Sequence, residues 1–145
     1  MFDLQGRRAL VTGASGGIGG AVAEALHAQG AVVTLSGTRM EALESVAGRL
    51  ETRVHIATAD LANPASVDGL VPEAERVMGG LDILVNNAGT THRNKPMLDV
   101  DEDEYDRVFA VNMKSIYLFA KAVVPHFRER GHGVILNIGS TAGVR

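Results

Sequence analysis

The feature that most constrains this chain is a glycine-rich turn near its amino terminus, Thr12-Gly13-Ala14-Ser15-Gly16-Gly17-Ile18-Gly19. A strand-like run, Arg7 to Val11, precedes the turn, and a run with helical spacing, Ile18 to Gln29, follows it. In such a turn the glycines let backbone N–H groups approach a pyrophosphate, and the dipole of the following helix favours the negative charge. The order strand, turn, helix therefore predicts a nucleotide-binding site formed by Gly13 to Gly19.

The composition limits the class of protein and its partners. The chain has 145 residues, 46% of them hydrophobic and 21% charged, which suits one compact domain over residues 1–145. The net charge is −3, and we find no leader and no apolar run that approaches membrane-spanning length. We therefore expect a cytoplasmic protein without nucleic-acid or membrane partners. The chain lacks cysteine and its five histidines are dispersed, so we assign no metal site.

Short runs rich in valine, isoleucine and leucine alternate with amphipathic stretches. The predicted strands are Ala9–Thr12, Val32–Ser36, Val54–Thr58, Ile83–Asn86 and Val134–Ile138. Asn63 and Pro64 mark the start of a third helix. A long fourth helix is predicted from about Glu102 to about Arg130, with an inner side formed by Val108, Ile116, Phe119, Val123 and Phe127. This alternation predicts an α/β fold with a parallel sheet covered by helices.

Further motifs follow the glycine turn in an order and approximate spacing that resemble the short-chain dehydrogenase/reductase family: Asp60-Leu61, Asn86-Asn87-Ala88-Gly89, Asn112 and Gly139-Ser140. The resemblance covers essentially the whole chain, whose opening part is most similar to 3-oxoacyl-acyl-carrier-protein reductases. It implies a Rossmann-type doubly wound sheet of five strands with flanking helices, truncated before the later strands. It also implies reduction of a carbonyl, that of a 3-oxoacyl thioester, in a small-molecule or carrier-bound substrate, and a homo-oligomer of the full-length protein.

The residues after the second predicted strand bear on the choice of cofactor. A carboxylate about 20 residues past the glycine turn would bind the 2′-hydroxyl of the adenosine ribose and favour NAD. This chain has Ser36-Gly37-Thr38-Arg39 instead, where Thr38 can donate a hydrogen bond and Arg39 can neutralise a 2′-phosphate. We therefore expect NADP (NADPH) rather than NAD. Arg39 could also be a solvated residue of the second helix, and Gly16 stands where many NADPH-using relatives carry a basic residue.

The resemblance assigns two motifs at strand ends to the cofactor. Asp60 would meet the adenine amino group and the backbone N–H of Leu61 would meet the ring, although Asn63-Pro64 could by itself explain a helix-entry turn. Asn87, Ala88 and Gly89 follow the fourth strand; an asparagine amide there can tie neighbouring strands, and glycine lets the backbone approach a ligand. Plain strand-end structure is the alternative for this motif.

Reduction of a carbonyl needs a hydride donor, a proton donor and a group that fixes the carbonyl oxygen. Ser140 follows the fifth predicted strand, and the resemblance implies that it is the substrate-orienting catalytic serine. For Asn112, which interrupts an apolar helical stretch, the resemblance implies a catalytic role in which it perturbs the helix and its main-chain carbonyl holds a water of the proton relay. A turn serine and a helix-surface or kink asparagine are the alternatives.

The family's Tyr-x-x-x-Lys pair, which includes the proton donor, is expected shortly after the serine, whereas this sequence stops at Arg145. Tyr117 and Lys121 have the same spacing but precede Ser140, so we interpret them as a packing residue and a solvated neighbour. We therefore expect a truncated member with little turnover by itself. We also expect Val134–Ile138 to form an exposed apolar edge. The resemblance implies that the long helix packs in a dimer interface, so its outer face is expected to be adhesive too.

Three alternatives stay open. A noncatalytic nucleotide-binding or dimerisation module would explain the missing Tyr/Lys pair. The basic loop Thr90 to Met97 resembles that of family members acting on sugars, other alcohols or diverse ketones. A sugar-nucleotide epimerase of the extended branch fits less well, because that branch spaces its glycines G-x-x-G-x-x-G, whereas this chain has G-x-x-x-G-x-G.

Overall fold

A computed structural model describes residues 3–140 of the chain. Its five strands are β1 Arg8–Thr12, β2 Val32–Gly37, β3 Val54–Thr58, β4 Ile83–Asn86 and β5 Val134–Asn137. All are parallel and form one sheet in the order β3-β2-β1-β4-β5. The winding therefore reverses between β1 and β4, as in the doubly wound Rossmann arrangement that the family resemblance implies.

Helices fill the connections between the strands. Their bounds are α1 Gly17–Ala28, α2 Met40–Leu50, α3 Pro64–Met78, α4 Glu102–Phe109 and α5 Ser115–Arg130, and a π-helical turn, Ala110–Lys114, joins the last two. Local sequence explains several ends. The Asn63 side chain accepts a hydrogen bond from the Ala65 N–H at 3.0 Å before α3, and Gly79 and Gly131 adopt left-handed conformations after α3 and α5.

Side chains along the strands alternate between two apolar clusters, one on each face of the sheet. Val11 belongs to the cluster shared with α1 and α2, whereas Leu10 and Leu84 belong to the cluster shared with α3 and α5. Both faces of the central strands are therefore buried, which explains their near-continuous apolar sequence. At the outer edge of the described sheet, Val134 and Leu136 of β5 remain 56% and 43% exposed, as expected for an uncovered apolar strand.

The long helical run has the predicted extent, but the π-helical turn divides it. A π turn holds one residue more than an α turn. The side chains of α4 are therefore rotated about the helix axis relative to those of α5. The prediction for the inner side was right for Phe119, Val123 and Phe127, which are buried. It was wrong for Val108 and Ile116, which are only partly buried and lie outside both clusters, while Val111 packs against the core.

The same helical run corrects the expectation that no apolar stretch approaches membrane-spanning length. Glu102–Arg130 contains a window with a mean hydropathy of 1.3 and is long and apolar enough to cross a membrane, by length and composition alone. One such helix is weak evidence for a membrane span. In this protein the inner residues of the helical run pack against the sheet. Most of the apolar window is nevertheless not buried, since only 17% of it lies inside the protein.

Candidate functional site

A cleft opens at the carboxyl ends of the strands, where the winding of the sheet reverses. Its described lining comes from Thr12, Gly13, Ser15, Ser36, Gly37, Thr38, Ala59, Asp60, Leu61, Ala88, Gly89, Thr90, Arg107 and Val111. The cleft has a volume of about 230 Å³ and is open to solvent. Open parallel sheets bind their ligands at such crevices, so this cleft is the candidate site.

Asn87 fixes the geometry of the glycine turn from the neighbouring strand. Its side-chain Nδ2 donates to the backbone oxygens of Thr12 at 3.0 Å and Gly13 at 3.1 Å. The Thr12 hydroxyl accepts from the backbone N–H groups of Asn87 at 3.0 Å and Ala88 at 3.1 Å, and it donates to the backbone oxygen of Val85 at 3.2 Å. The end of β1 and the end of β4 therefore form one hydrogen-bonded unit.

The glycines of the turn serve two different purposes. A Cβ on Gly13 would lie 2.9 Å from Asn87 Nδ2, and a Cβ on Gly19 would overlap the Gly13 carbonyl oxygen, so close packing requires both glycines. Gly16 and Gly17 have φ angles of 143° and 55° and open space where a Cβ would stand. Their backbone is accessible at the start of α1, which fits a phosphate group of a dinucleotide.

The structure brings many of the predicted cofactor residues to the cleft, but not all of them. Those that line it are Gly13, Ser15, Thr38, Asp60, Leu61, Ala88 and Gly89. Gly16, Gly17 and Ile18 are exposed at the start of α1, while Ala14 and Gly19 are buried. Asp60 Oδ1 accepts from the Ala62 N–H at 3.0 Å, which forms a helix-entry turn, and the residue still lines the cleft. Arg39 occupies the N-cap position of α2, is exposed and does not line the cleft.

Seven of the described lining residues were not predicted as site residues from the sequence: Thr12, Ser36, Gly37, Ala59, Thr90, Arg107 and Val111. Thr12 ends β1, where a threonine is explained by strand propensity alone. Arg107 lies on α4, whose first turn is acidic, so its sequence context indicates an ordinary surface charge. Its spacing of four residues from Val111 is the signal that could have placed both side chains on one face of a helix. Arg107 is the basic residue, and Asp60 the acidic one, among the described lining residues.

Asn112 joins the π-helical turn to the loop after β4. Its Oδ1 accepts from the Thr90 N–H at 2.8 Å, and its Nδ2 donates to the Thr90 carbonyl at 2.8 Å. The π-helical turn Ala110–Lys114 includes this residue. Ser140 lies three residues beyond the end of β5 at Asn137, whose amide oxygen accepts from Asn86 Nδ2 at 2.8 Å. Neither Asn112 nor Ser140 is among the described lining residues of the cleft.

The carboxylate with the most perturbed pKa lies at the amino ends of the strands, away from the cleft. Asp82 precedes β4, is 4% exposed and accepts hydrogen bonds from Arg8 Nε at 2.8 Å and Arg8 Nη2 at 3.0 Å; His132 Nε2 is 3.3 Å away. Burial by itself would raise the pKa of this carboxyl, but the hydrogen bonds and charge of Arg8, with His132, lower it to about 2. Because Arg8 starts β1, this ion pair stabilises the sheet and does not contribute to the cleft.

Known sequences are similar to almost the whole chain. The short chain dehydrogenase family pattern matches residues 7–145. Nodulation protein G of Rhizobium sp. (strain N33) is 46% identical over 144 residues, which is 99% of this chain and 58% of that protein. A 4-formylbenzenesulfonate dehydrogenase of Comamonas testosteroni is 44% identical over 147 residues, with the same coverage of 99% and 58%. The chain therefore spans about 58% of the length of these curated relatives.

Solved structures match the fold closely. A 3-ketoacyl-(acyl-carrier-protein) reductase from Brucella melitensis, complexed with NADH, superposes with a TM-score of 0.89 at 37% identity and covers 96% of this chain and 59% of its own. A short chain dehydrogenase from Burkholderia cenocepacia J2315, in complex with NADP, has a TM-score of 0.89 at 36% identity and covers 99% and 59%. Both of these proteins hold a nicotinamide cofactor, one with and one without the 2′-phosphate.

Proposed function

This chain belongs to the short-chain dehydrogenase family, and from that premise we propose that it forms the cofactor-binding part of an NADPH-dependent carbonyl reductase. One observation carries the proposal. Thr12, Gly13 and Asn87 form a hydrogen-bonded unit that holds the turn while the backbone of Gly16 and Gly17 stays open at the start of α1. Because protein groups alone maintain this shape, a ligand would bind with little ordering cost.

A nicotinamide dinucleotide would be held by backbone and side-chain groups around the cleft. The turn from Gly13 to Gly19 would offer N–H groups to the pyrophosphate, and Asp60 and Leu61, which line the cleft, would contact the adenine end. The backbone at Asn87-Ala88-Gly89 would approach the cofactor from β4, whereas the Asn87 side chain is engaged, because its Nδ2 donates to the backbone oxygens of Thr12 and Gly13. When bound, this cofactor supplies the hydride for reduction of a carbonyl.

NADPH is favoured over NADH because no carboxylate stands in the cleft at the end of β2. Thr38 lines the cleft there and can donate a hydrogen bond to a 2′-phosphate. An acid at this position would instead bind a 2′-hydroxyl and repel the phosphate. Arg39, at the N-cap of α2, is proposed as a second phosphate contact, since its exposed side chain starts one residue after Thr38.

Ser140 and Asn112 are proposed to act on the substrate side of the site. The Ser140 hydroxyl would donate a hydrogen bond to the substrate carbonyl oxygen and orient it. The Asn112 main-chain carbonyl would hold a water of the proton relay, and its two side-chain hydrogen bonds to Thr90 keep the π-helical turn in place. Tyr117 is 62% exposed on α5 and does not line the cleft, so we do not assign it the role of proton donor.

For the substrate we favour a 3-oxoacyl thioester, small or carrier-bound. The support is the sequence resemblance together with the similarity to the Brucella melitensis reductase. The curated relatives with similar sequences have other names, among them a 4-formylbenzenesulfonate dehydrogenase. A family member that acts on other alcohols, sugars or ketones is therefore the second candidate.

The outer face of α4 and α5 supports a homo-oligomer as part of the proposed function. Tyr105, Phe109, Met113 and Tyr117 recur every four residues and are 54%, 47%, 61% and 62% exposed. The rings of Tyr105 and Phe109 stack with their centroids 4.4 Å apart. An exposed apolar stripe of this kind marks a protein interface, and a second copy of the chain is the partner that the family resemblance implies.

The cofactor proposal is tested by titrating the protein with NADPH and NADH and comparing Thr38→Asp with the wild type. The added carboxylate should weaken NADPH binding about tenfold or more and leave NADH binding unchanged or tighter, because only NADPH carries the 2′-phosphate. Thr58→Asp, at the exposed end of β3 and outside the cleft, is the matched control.

The reductase proposal is tested separately by following NADPH oxidation with a 3-oxoacyl thioester and with simple ketones and sugars. NADPH binding without oxidation in the presence of any of these substrates would favour the noncatalytic nucleotide-binding module. A wild-type protein that binds neither NADPH nor NADH would contradict the proposed function as a whole.

A further inference from the structure

Arg107 is a charged cleft residue to which the proposed function assigns no role. It lies near the end of α4, one helical turn before Val111, and both residues line the cleft. Its side chain is exposed, and within residues 3–140 no hydrogen bond or ion pair engages its guanidinium. An arginine that lines a cleft without a protein partner is available to a ligand.

Part of the cleft wall is apolar and lies on the α3 and α5 face of the sheet. Leu61 is a buried member of the cluster under α3 and α5, and Ala88 and Val111 pack against that same cluster. The glycine turn, by contrast, leads into α1 on the other face of the sheet, where Ala14 and Ala23 belong to the second cluster. Arg107 therefore stands on the side of the cleft that suits a flat, weakly polar group, and the phosphate-binding backbone stands on the other side.

From this placement we infer that Arg107 binds the adenine base of the cofactor, with its guanidinium stacked on the ring and the wall of Leu61, Ala88 and Val111 beside it. The inference rests on the proposed function, because it needs a dinucleotide in the cleft. A guanidinium is planar and weakly hydrated, and it stacks on aromatic rings more readily than an ammonium does. The contact is a positioning and affinity contact for the cofactor and takes no part in hydride transfer.

The alternative for Arg107 is an ion pair with the 2′-phosphate. The two contacts differ in a measurable way, since adenine is present in NADPH, NADH and ADP-ribose, whereas the 2′-phosphate is present only in NADPH. Stacking on adenine predicts the same loss of affinity for all three ligands when Arg107 is removed. A phosphate contact predicts a loss confined to NADPH.

The test is calorimetric titration of wild-type protein and of Arg107→Ala with NADPH, NADH and ADP-ribose. We expect Arg107→Ala to raise the dissociation constant roughly three- to thirtyfold for each ligand. Arg107→Lys keeps the charge but lacks the planar group, so it should recover less than half of the loss on a logarithmic scale. Arg128→Ala, an exposed arginine of α5 outside the cleft, is the matched control and should bind like the wild type.

The outcomes separate this inference from the proposed function. If the wild type binds the ligands and Arg107→Ala binds them equally well, or loses affinity for NADPH alone, the adenine contact is refuted while the cofactor site stands. If the wild type binds none of the ligands, both are refuted. Urea unfolding of each variant checks the fold, because Arg107 makes no described contact whose loss should lower stability.

Discussion

Gly19 and Gly20 are neighbours in α1, and alanine is expected to have opposite effects at the two positions. At Gly20 an added Cβ would meet the Ala14 carbonyl oxygen at 3.7 Å and Val46 Cγ2 at 3.9 Å, which are ordinary contacts. At Gly19 it would overlap the Gly13 carbonyl oxygen and the Asn87 amide nitrogen. Both glycines are buried in the same helix, so each serves as the control for the other.

The magnitudes follow from helix propensity and packing. Replacing glycine by alanine inside a helix stabilises it by about 1 kcal/mol, and Gly20→Ala should gain up to that amount. In Gly19→Ala the same gain is outweighed, because overpacking costs about 1–3 kcal/mol and displacement of Asn87 weakens two hydrogen bonds worth about 1 kcal/mol each. We expect Gly19→Ala to lower the free energy of unfolding by about 2–4 kcal/mol, from these same costs less the helix gain.

The assay is urea unfolding followed by far-UV circular dichroism, which suits a chain without tryptophan, combined with NADPH titration. Gly19→Ala should unfold at lower urea and bind NADPH more weakly, because the Asn87 amide can no longer hold the turn. Gly20→Ala should unfold at higher urea and bind NADPH like the wild type. Equal stability and equal affinity of the two variants would refute the argument that Asn87 and Gly19 are packed against each other.

Three further predictions concern other parts of the molecule. Asp82→Asn should cost about 2 kcal/mol of unfolding free energy at pH 7, because the carboxyl pKa falls from 3.8 to about 2 on folding; this difference should persist above pH 3.8 and largely vanish by pH 2 in pH-dependent urea melts. Thr12→Val should cost about 1–3 kcal/mol and weaken NADPH binding, since the N–H groups of Asn87 and Ala88 lose their acceptor, whereas Thr12→Ser should retain both properties. Met113→Glu should shift sedimentation toward the monomer, and unchanged sedimentation of an oligomer would contradict an interface on the α4 and α5 stripe.

The fold was predictable because its signals are local. The bounds of β3 and β4 agree with the sequence-based prediction, since each strand is a short apolar run. The start of α3 was predictable from a capping asparagine followed by proline. The π-helical turn was not predictable in the same way, because an extra residue in one turn leaves no periodic signal, and it moved Val108 off the inner face.

The candidate site was only partly predictable, for a related reason. The glycine turn can be recognised from the spacing of its glycines, but the residues that hold it come from distant positions in the chain. The amide of Asn87 and the hydroxyl of Thr12 meet only once β1 and β4 are paired. Arg107 reaches the cleft from a helix with an acidic first turn, where its sequence neighbours suggest plain solvation. The roles of Ser140 and Asn112 stay predictions that rest on the family resemblance.

The hydrogen bonds between Thr12 and Asn87 also restrict how this domain can be recombined with related chains. The two residues are 75 positions apart, with three strands and three helices between them. A chimera whose crossover falls inside that interval inherits residue 12 from one parent and residue 87 from the other. Such a chimera keeps a working cleft only when the two parents carry compatible residues at both positions, however well the intervening surfaces match. In a library of chimeras made from two parents that differ at either position, the folded members that keep the cleft should have their crossovers outside residues 12–87.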